Sequence, residues 1–314
     1  MKKLLSILVA VMVLGLTPLA QAADFYNIAT GPTGGTYYPV GAAMAKIWTD
    51  NIDGVKASAQ STGGTVNNIQ LLSSGDAELC FADGLYFDAF HGNAKYKGTP
   101  QDFLRGMVAL YPEVIHIVVA KDSGIKSFAD LKGKRVSVGA VGGSVTITAQ
   151  NLFAAAGMDM EKDIVVEHLG HADANAAFAD KRIDAAINVG TIGISSVTEP
   201  TTIGTVYLID IDPEIVAKMC ASTPYFTPFT IAAGTYKGQD KDITTFSSPN
   251  IIAVKESVNA DVVYAMTKSL FEHKADLVAV KATMNAMAPE AVSQIKIPLH
   301  PGAEKYYKEL GLIQ

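Results

Sequence analysis

Short apolar runs alternate with amphipathic runs along most of the chain, and glycine-rich turns stand between them. Residues 26–29, 58–60 and 79–82 have the pattern of strands, and residues 41–49 and 66–73 have the apolar spacing of helices. A second series of the same kind runs from residue 134 to residue 211. Strands that alternate with helices predict parallel sheet flanked by helices, so the expected fold class is α/β.

Two longer apolar strands, residues 114–120 and 251–257, lie far apart in the sequence and end in similar turns of charged residues. We interpret them as the points where the chain leaves a first domain and returns to it. The expected domains are residues 23–113 together with 250–314, and residues 114–249. A long helical pattern over residues 261–281 is expected to pack on the first domain.

Three glycine-rich turns, at residues 30–41, 61–65 and 139–146, each follow a predicted strand and precede a predicted helix. The first turn of a helix offers unpaired N–H groups and the positive end of the helix dipole, and glycine lets a ligand approach the backbone. Open α/β sheets bind ligands at the carboxyl ends of their strands, so we predict that the three turns hold one small acidic ligand. The expected ligand-binding residues are Gly35, Thr36, Tyr37, Thr62, Gly63, Gly64, Thr65, Asp83, Gly143, Ser144 and Thr146.

Two features of charge qualify this expectation. Asp83 follows the third predicted strand, and it is either the cap of a turn or an acid of the pocket. The three arginines of the chain, Arg105, Arg135 and Arg182, lie outside the three turns. A bound carboxylate would therefore depend on backbone dipoles and hydroxyls, and Arg135 is expected to have a structural or surface role.

Sequence motifs of catalysis and of nucleotide binding are missing. The chain has no Gly-x-Ser-x-Gly, no His-Glu-x-x-His, no P-loop and no dinucleotide-binding glycine pattern. His168 and His171 do not complete a metal-ligand set with a nearby cysteine or carboxylate, and His116, inside an apolar strand, is expected to be a core or hinge residue. We expect a binding protein without cofactor or metal rather than an enzyme.

The N-terminus has the pattern of a secretory signal peptide. Two lysines precede an apolar segment over residues 4–16, and an Ala-x-Ala site follows at residues 20–22, so cleavage is expected before Ala23. The alternative is an uncleaved membrane anchor, but the apolar segment is shorter than the roughly 20 residues of a spanning helix. The mature protein is expected to be periplasmic.

Composition and net charge limit the kinds of partner that the protein is expected to bind. The chain has 314 residues, 49% of them hydrophobic, and a net charge of −6, which does not favour nucleic acid or an anionic membrane surface. The two cysteines, Cys80 and Cys220, are expected to be free thiols because nothing in the sequence brings them together. A monomer is expected.

Several stretches of the chain closely resemble one family. GPTGGTYYPVG, STGGTVNNIQLL, LYPEVIHIVVAKDSGIKSFADLKGKRVSVGA, TIAAGTYKGQDKDI, IIAVKES and IPLHPGAEKYYKELG resemble the TAXI-type solute-binding subunits of tripartite ATP-independent periplasmic (TRAP) transporters. The resemblance runs from about residue 23 to the end. It implies a type II periplasmic-binding-protein fold, in which two crossing strands join two α/β domains with a ligand cleft between them. It also implies a large and a small integral membrane subunit as partners, and small carboxylates, including glutamate, glutamine and dicarboxylates, as ligands.

Departures from the family pattern affect the expected ligand. Val141 stands where the third turn usually has proline, and Thr146 stands where it usually has an acid. A buried ammonium group needs a partner, so the loss of the acid weakens the case for an amino acid, although Asp83 could replace it. A dicarboxylate or a hydroxy or keto acid is therefore favoured over glutamate. A sensor module that presents its ligand to a membrane receptor stays open, and an enzyme on a similar fold is a weaker alternative.

Overall fold

We describe the fold from a computed structural model over residues 23–31, 33, 35–141 and 143–314, so the predicted signal segment lies outside the described residues. The described strands are β1 (Asp24–Ala29), β2 (Val55–Gln60), β3 (Leu79–Ala82), β4 (Leu104–Ala120), β5 (Arg135–Ser137), β6 (Val165–Glu167), β7 (Ala185–Gly190), β8 (Val206–Ile209), β9 (Thr227–Ile231) and β10 (Ile243–Lys255).

The α-helices lie on both sides of the strands. They are α1 (Tyr37–Asn51), α2 (Thr65–Ser74), α3 (Leu85–His91), α4 (Ser144–Ala155), α5 (Met160–Asp163), α6 (His171–Ala179), α7 (Ser195–Ile203), α8 (Pro213–Ser222), α9 (Ala260–Glu272), α10 (Lys274–Val280) and α11 (Pro301–Glu309). Short 3₁₀ helices cover Ala94–Tyr96, Phe128–Leu131, Ala282–Ala286 and Pro289–Gln294.

The strands form one curled sheet in the order β2-β1-β3-β10-β4-β7-β5-β6, with β8 paired to β4 and β9 to β10. Parallel pairs occur on each side, β1 with β2 and β3, and β5 with β6 and β7. The long strands β4 and β10 run antiparallel through the middle and belong to both sides. This is the predicted α/β fold of type II periplasmic binding proteins, with two crossing strands between two halves.

Apolar packing separates the two halves. One half surrounds Trp48 and includes β4 up to Tyr111, and the other surrounds Phe153 and includes β4 from Val114. On β10 the side chains change halves between Phe246 and Ile251. We call these the first half and the second half. The domain limits expected from the sequence stay a prediction.

The prediction of one long helix over residues 261–281 is wrong, because the structure has two helices there. Helix α9 ends at Glu272, and α10 begins at Lys274. Between them, Nδ1 of the His273 ring lies 2.9 Å from the carbonyl oxygen of Ser269. The same carbonyl oxygen also accepts from the backbone N–H group of His273 at 3.0 Å, so this helical bond is kept, and the backbone of His273 (φ −108°, ψ 26°) departs from helical geometry where α9 ends.

Two further predictions are confirmed. Cys80 and Cys220 are free, although Cys220 is only half-buried. Arg135 has a structural role, because its guanidinium pairs with the carboxylate of Asp184 at 2.6 Å and donates to the carbonyl of Lys181 at 2.8 Å.

Replacing Gly302 with alanine should lower the free energy of unfolding by about 1–3 kcal/mol, the usual cost of overpacking. Gly302 lies where α11 crosses α9, and a Cβ there would be 2.1 Å from the carbonyl oxygen of Ala260 and 2.7 Å from the backbone nitrogen of Tyr264. Backbone atoms of a helix cannot move aside cheaply. Urea unfolding measures the change. In the control Gly170→Ala, the nearest heavy atom would be 3.7 Å away, so equal effects of the two substitutions would contradict the prediction.

Candidate ligand-binding site

A small cavity of about 10 Å³, close to the space of one water molecule, lies where the two halves meet. The first half supplies the turn between β3 and α3, and the second half supplies the start of α4, strand β7 and the segment before β9. The lining residues are Asp83, Gly84, Leu85, Ile115, Ser144, Thr148, Val189, Tyr225, Phe226 and Ser248. Both halves therefore contribute polar groups to one small cavity.

Asp83 caps the turn and also lines this cavity, while its contact with a ligand stays a prediction. Its side chain accepts from the Leu85 N–H group at 3.1 Å, and its own N–H group donates to the Thr65 hydroxyl at 3.0 Å. The residue is 5% exposed. Burial raises the pKa of Asp83, while the Leu85 N–H group and the hydroxyls of Ser144 and Thr65 oppose the rise. Ser144 belongs to the second half, so Asp83 is in contact with both.

Tyr37 connects the first glycine turn to the crossing strands. Its ring stacks on Phe81 with the centroids 4.9 Å apart, and its hydroxyl donates to Oδ1 of Asn250 in β10. Burial raises the pKa of Tyr37, and the nearby carboxyls of Glu113 and Asp83 add to the rise. The turn thus places a phenol beside two acids.

Glu113 is the second of these acids, and the sequence analysis missed it. It lies within β4, opposite Ser248 of β10. Burial raises the pKa of Glu113 from its ordinary value of 4.5 to about 8, and the charge of Asp83 adds to the rise, while Asn250 and Tyr37 oppose it. A charged residue next to Pro112 in an otherwise apolar strand was the signal available in the sequence.

The second glycine turn uses most of its polar groups internally. The Thr62 hydroxyl donates to Oδ1 of Asn68 at 2.5 Å and accepts from the Gly64 N–H group at 3.1 Å, and the Gly63 N–H group donates to Oδ1 of Asn67 at 3.2 Å. Thr65, the first residue of α2, is the member of this turn that reaches Asp83. Ligand contacts of Thr62, Gly63 and Gly64 stay predictions.

In the first and third turns, too, some polar groups already have hydrogen-bond partners within the protein and others do not. Gly35 is exposed, and Thr36 precedes α1 without a capping hydrogen bond from its side chain. In the third turn, the Gly143 N–H group donates to the carbonyl of Ala140 at 3.0 Å, and the buried Thr146 hydroxyl bonds the carbonyls of Val138 and Ala140 at 3.0 and 2.9 Å. The structure brings together Tyr37, Thr65, Asp83 and Ser144, and the ligand contacts of the other predicted residues stay untested.

Tyr225 connects the two halves and was also missed. Its hydroxyl donates to Asp88 of α3 at 3.1 Å, and its ring lies against Gly84, where a Cβ would be only 2.1 Å from the ring. Phe226 packs edge-to-face on the same ring with the centroids 4.7 Å apart. The segment before β9 thereby closes the cavity against the first half.

His116, which the sequence analysis expected to be a core or hinge residue, lies in the protein interior. His116 is buried in β4, and its Nε2 lies 2.9 Å from the Tyr236 hydroxyl, which confirms a core residue. Among the described residues, no group of three His, Cys, Asp or Glu side chains is arranged to hold a metal ion. None of the described helices is long and apolar enough to cross a membrane.

Comparison with known proteins identifies the family. Residues 28–311 match the model of the NMT1-like family. The chain belongs to the NMT1-like family. The match spans both halves and both crossing strands, so the site described above lies within the matched residues.

Similar solved structures support the fold. A putative sulfonate ABC transporter protein, the periplasmic sulfonate-binding protein SsuA from Methylobacillus flagellatus KT, is 14% identical, with coverage of 93% of this chain and 96% of that one and a TM-score of 0.52. A putative L-cystine ABC transporter from Listeria monocytogenes is 13% identical, with coverage of 83% and 96% and a TM-score of 0.52. A protein from Bordetella bronchiseptica RB50 is 16% identical, with coverage of 91% and 98% and a TM-score of 0.57. The chain therefore has the fold of periplasmic solute-binding proteins.

Proposed function

We propose that this protein is a periplasmic solute-binding protein that delivers a small carboxylate to the membrane subunits of a TRAP transporter, without catalysing a reaction. The observation that carries the proposal is the meeting of Asp83 from the first half and Ser144 from the second in one small cavity between the halves. A solute that contacts both sides favours the closed arrangement over an open one, so binding shifts that equilibrium.

The two crossing strands support this mechanism. Strands β4 and β10 connect the halves, and Pro112 and Pro249 face each other across them, beside an irregularity in the pairing between Pro249 and Ile251. Proline donates no ladder hydrogen bond, so the pairing is weakest at this point. We expect the halves to rotate about it as the solute enters and leaves.

The proposal also names the type of transporter, TRAP rather than ABC. The long motifs quoted above resemble the TAXI-type subunits of TRAP transporters, whereas two of the similar structures are named as ABC transporter proteins. Uptake into vesicles containing the candidate membrane subunits separates the two. A TRAP system should transport with an ion gradient and no ATP, and a strict need for ATP would refute that assignment.

A thermal-shift experiment tests the ligand class. Glutamate, glutamine, 2-oxoglutarate, 2-hydroxyglutarate, succinate and malate form the panel, with methanesulfonate and L-cystine added because of the similar structures. We expect a carboxylate to raise the melting temperature, since a ligand at 100 times its Kd stabilises the native state by about 2.7 kcal/mol.

A matched pair of variants tests whether the rise in melting temperature depends on binding in the cavity. Ser144→Ala removes a hydroxyl that lines the cavity, and Ser257→Ala removes an exposed one after β10. The first should reduce the shift and the second should not. A shift with methanesulfonate or L-cystine alone, or with no member of the panel, would refute the carboxylate proposal.

A further inference from the structure

Helix α3 of the first half makes two contacts with one tyrosine of the second half. The Tyr225 hydroxyl donates to Oδ2 of Asp88 at 3.1 Å, and the Tyr225 ring lies beside that of Phe87, with the centroids 5.9 Å apart. Phe87 also packs against the apolar clusters of both halves. Neighbouring residues of α3 therefore form a polar and an apolar contact with the other half at the same place.

The tyrosine is held in position by its own half. Its ring packs edge-to-face on Phe226, and Phe226 packs in the same way on Phe246 of β10, with 4.7 Å between the centroids in each pair. Tyr225 is 3% exposed. A row of aromatic rings thus runs from the crossing strand β10 to the first half, and it fixes the position of the Tyr225 hydroxyl.

Helix α3 is held in position on the other side. The backbone carbonyl of Asp88 accepts from the Asn93 N–H group at 2.8 Å. The hydroxyl of Tyr86, two residues before Asp88, donates to the carbonyl of Gln294 and accepts from the Lys296 N–H group, both at 3.2 Å. Groups that are already fixed lose little conformational freedom when they meet, so more of the contact energy remains to hold the halves together.

The contact lies beside the cavity. Tyr225 lines the cavity, whereas Phe87 and Asp88 are not among its described lining residues. The ion pairs between described residues each lie within one half, so they do not hold the halves together. Because Tyr225, Phe87 and Asp88 are all protein groups, their contact can form whether or not a solute is bound.

We propose that Tyr225, Phe87 and Asp88 form a latch that holds the two halves together without the solute and thereby sets the affinity for it. This inference rests on the proposed function and adds a means of regulating the same site. A solute that needs the closed arrangement binds with an apparent affinity that falls with the fraction of closed molecules. The latch raises that fraction before the solute arrives, so Asp88 acts on binding from outside the cavity.

Small-angle X-ray scattering without solute tests the latch on protein that has been unfolded in urea, dialysed and refolded, which removes any solute carried over from the host. Tyr225→Phe removes the hydroxyl and keeps the ring, and we expect it to have a larger radius of gyration than the unaltered protein. In the matched control Tyr264→Phe, the lost hydroxyl also donates to a carboxylate, that of Glu309 at 2.7 Å, but within the first half. The control should keep the radius of the unaltered protein. Equal radii for Tyr225→Phe and the unaltered protein would overturn the inference.

A double-mutant cycle, measured by titration calorimetry with 2-hydroxyglutarate, tests whether Tyr225 acts through Asp88. Tyr225→Phe and Asp88→Ala should each raise the Kd about three- to tenfold, the effect of losing one hydrogen bond that favours closure. The double variant should raise the Kd no further, because both changes remove the same bond. Asp88→Asn keeps an acceptor oxygen and should keep most of the affinity.

The remaining outcomes separate the latch from the proposed function. Additive effects in the cycle would mean that the Tyr225 hydroxyl acts on the solute directly, and a lower Kd in either single variant would mean that the latch competes with the solute. Unchanged Kd values in both single variants would show that the latch does not control affinity. Each of these results would overturn the inference and leave the proposed function intact. If no acid of the panel binds the unaltered protein, the carboxylate function fails, while the scattering still decides whether the latch holds the halves together.

Discussion

Replacing Gly84 with alanine should block closure of the two halves and weaken binding of the solute at least about tenfold, or 1.4 kcal/mol. Gly84 belongs to the first half and Tyr225 to the second. A Cβ on Gly84 would lie 2.1, 2.3 and 2.9 Å from three ring carbons of Tyr225. These distances are far below van der Waals contact, so the two groups cannot keep their positions.

The Tyr225 ring has little freedom to move away. Its hydroxyl bonds Asp88, and its ring packs against Phe226 and Phe87 with centroids 4.7 and 5.9 Å away. Each half can still fold in the variant, because the clash arises only when the halves meet. The cost therefore falls on the closed arrangement, and the affinity falls with the fraction of molecules that can close.

Calorimetry with the carboxylate that binds best, and small-angle X-ray scattering of the bound protein, measure this effect. The variant should have a larger radius of gyration in the presence of solute than the unaltered protein. The double variant Gly84→Ala with Tyr225→Ala removes the obstructing ring and should recover compactness, whereas Gly170→Ala should change neither quantity. Unchanged affinity and compactness in Gly84→Ala would contradict the role assigned to this contact.

The sequence predicted those parts of the fold that depend on the local pattern of apolar and polar residues. Strands β1, β3 and β7 and the turns after them follow from apolar runs that end in glycine or polar residues. Strand β4 was expected to begin at residue 114 but begins at Leu104, because its first part pairs with β10 in the first half. Arg105, Gly106 and Pro112 interrupt the apolar pattern there. That pairing joins segments more than a hundred residues apart, which no local pattern reports.

The residues of the candidate site also fall into those that a local rule predicts and those that it does not. Tyr37, Thr65, Asp83 and Ser144 follow strand ends, where the rule for open α/β sheets applies. Glu113 and Asn250 lie within strands, and they reach the site only because β4 and β10 cross from one half to the other.

Two other differences between the predicted and the observed site have other causes. The contact of Tyr225 with Asp88 joins residues 137 positions apart, so the sequence offers no local signal for it. The Gly63 and Gly64 N–H groups were expected to face a ligand, but the side chains of Asn67 and Thr62 accept from them. Side chains within a glycine turn thus compete with a ligand for the same donors.

The contribution of Glu113 to stability should fall as the pH rises from 6.5 to 8, so the unaltered protein should lose stability relative to Glu113→Gln over this range. The folded pKa of Glu113, about 8, is above its ordinary value of 4.5, so the folded state binds the proton more tightly than the unfolded state. Between these two values, ionisation of Glu113 favours unfolding. The stabilising contribution is complete below pH 4.5 and is lost as the pH passes through 8. One proton gives a slope of at most about 1.4 kcal/mol per pH unit, and less for a carboxyl that water partly screens.

Histidines also titrate near the lower end of this range. Burial lowers the pKa of His116 to about 4 and lowers that of His171 and His300, so these groups increase stability as the pH rises through their ordinary pKa of about 6.5. Because the histidines are the same in both proteins, urea unfolding at pH 6.5, 7.25 and 8 measures Glu113 as the difference between the unaltered protein and Glu113→Gln. The slope of the unaltered protein minus that of Glu113→Gln should be negative, and Glu290→Gln, at an exposed glutamate, should match the unaltered protein. Equal slopes in all three proteins would mean that Glu113 is already ionised at pH 6.5.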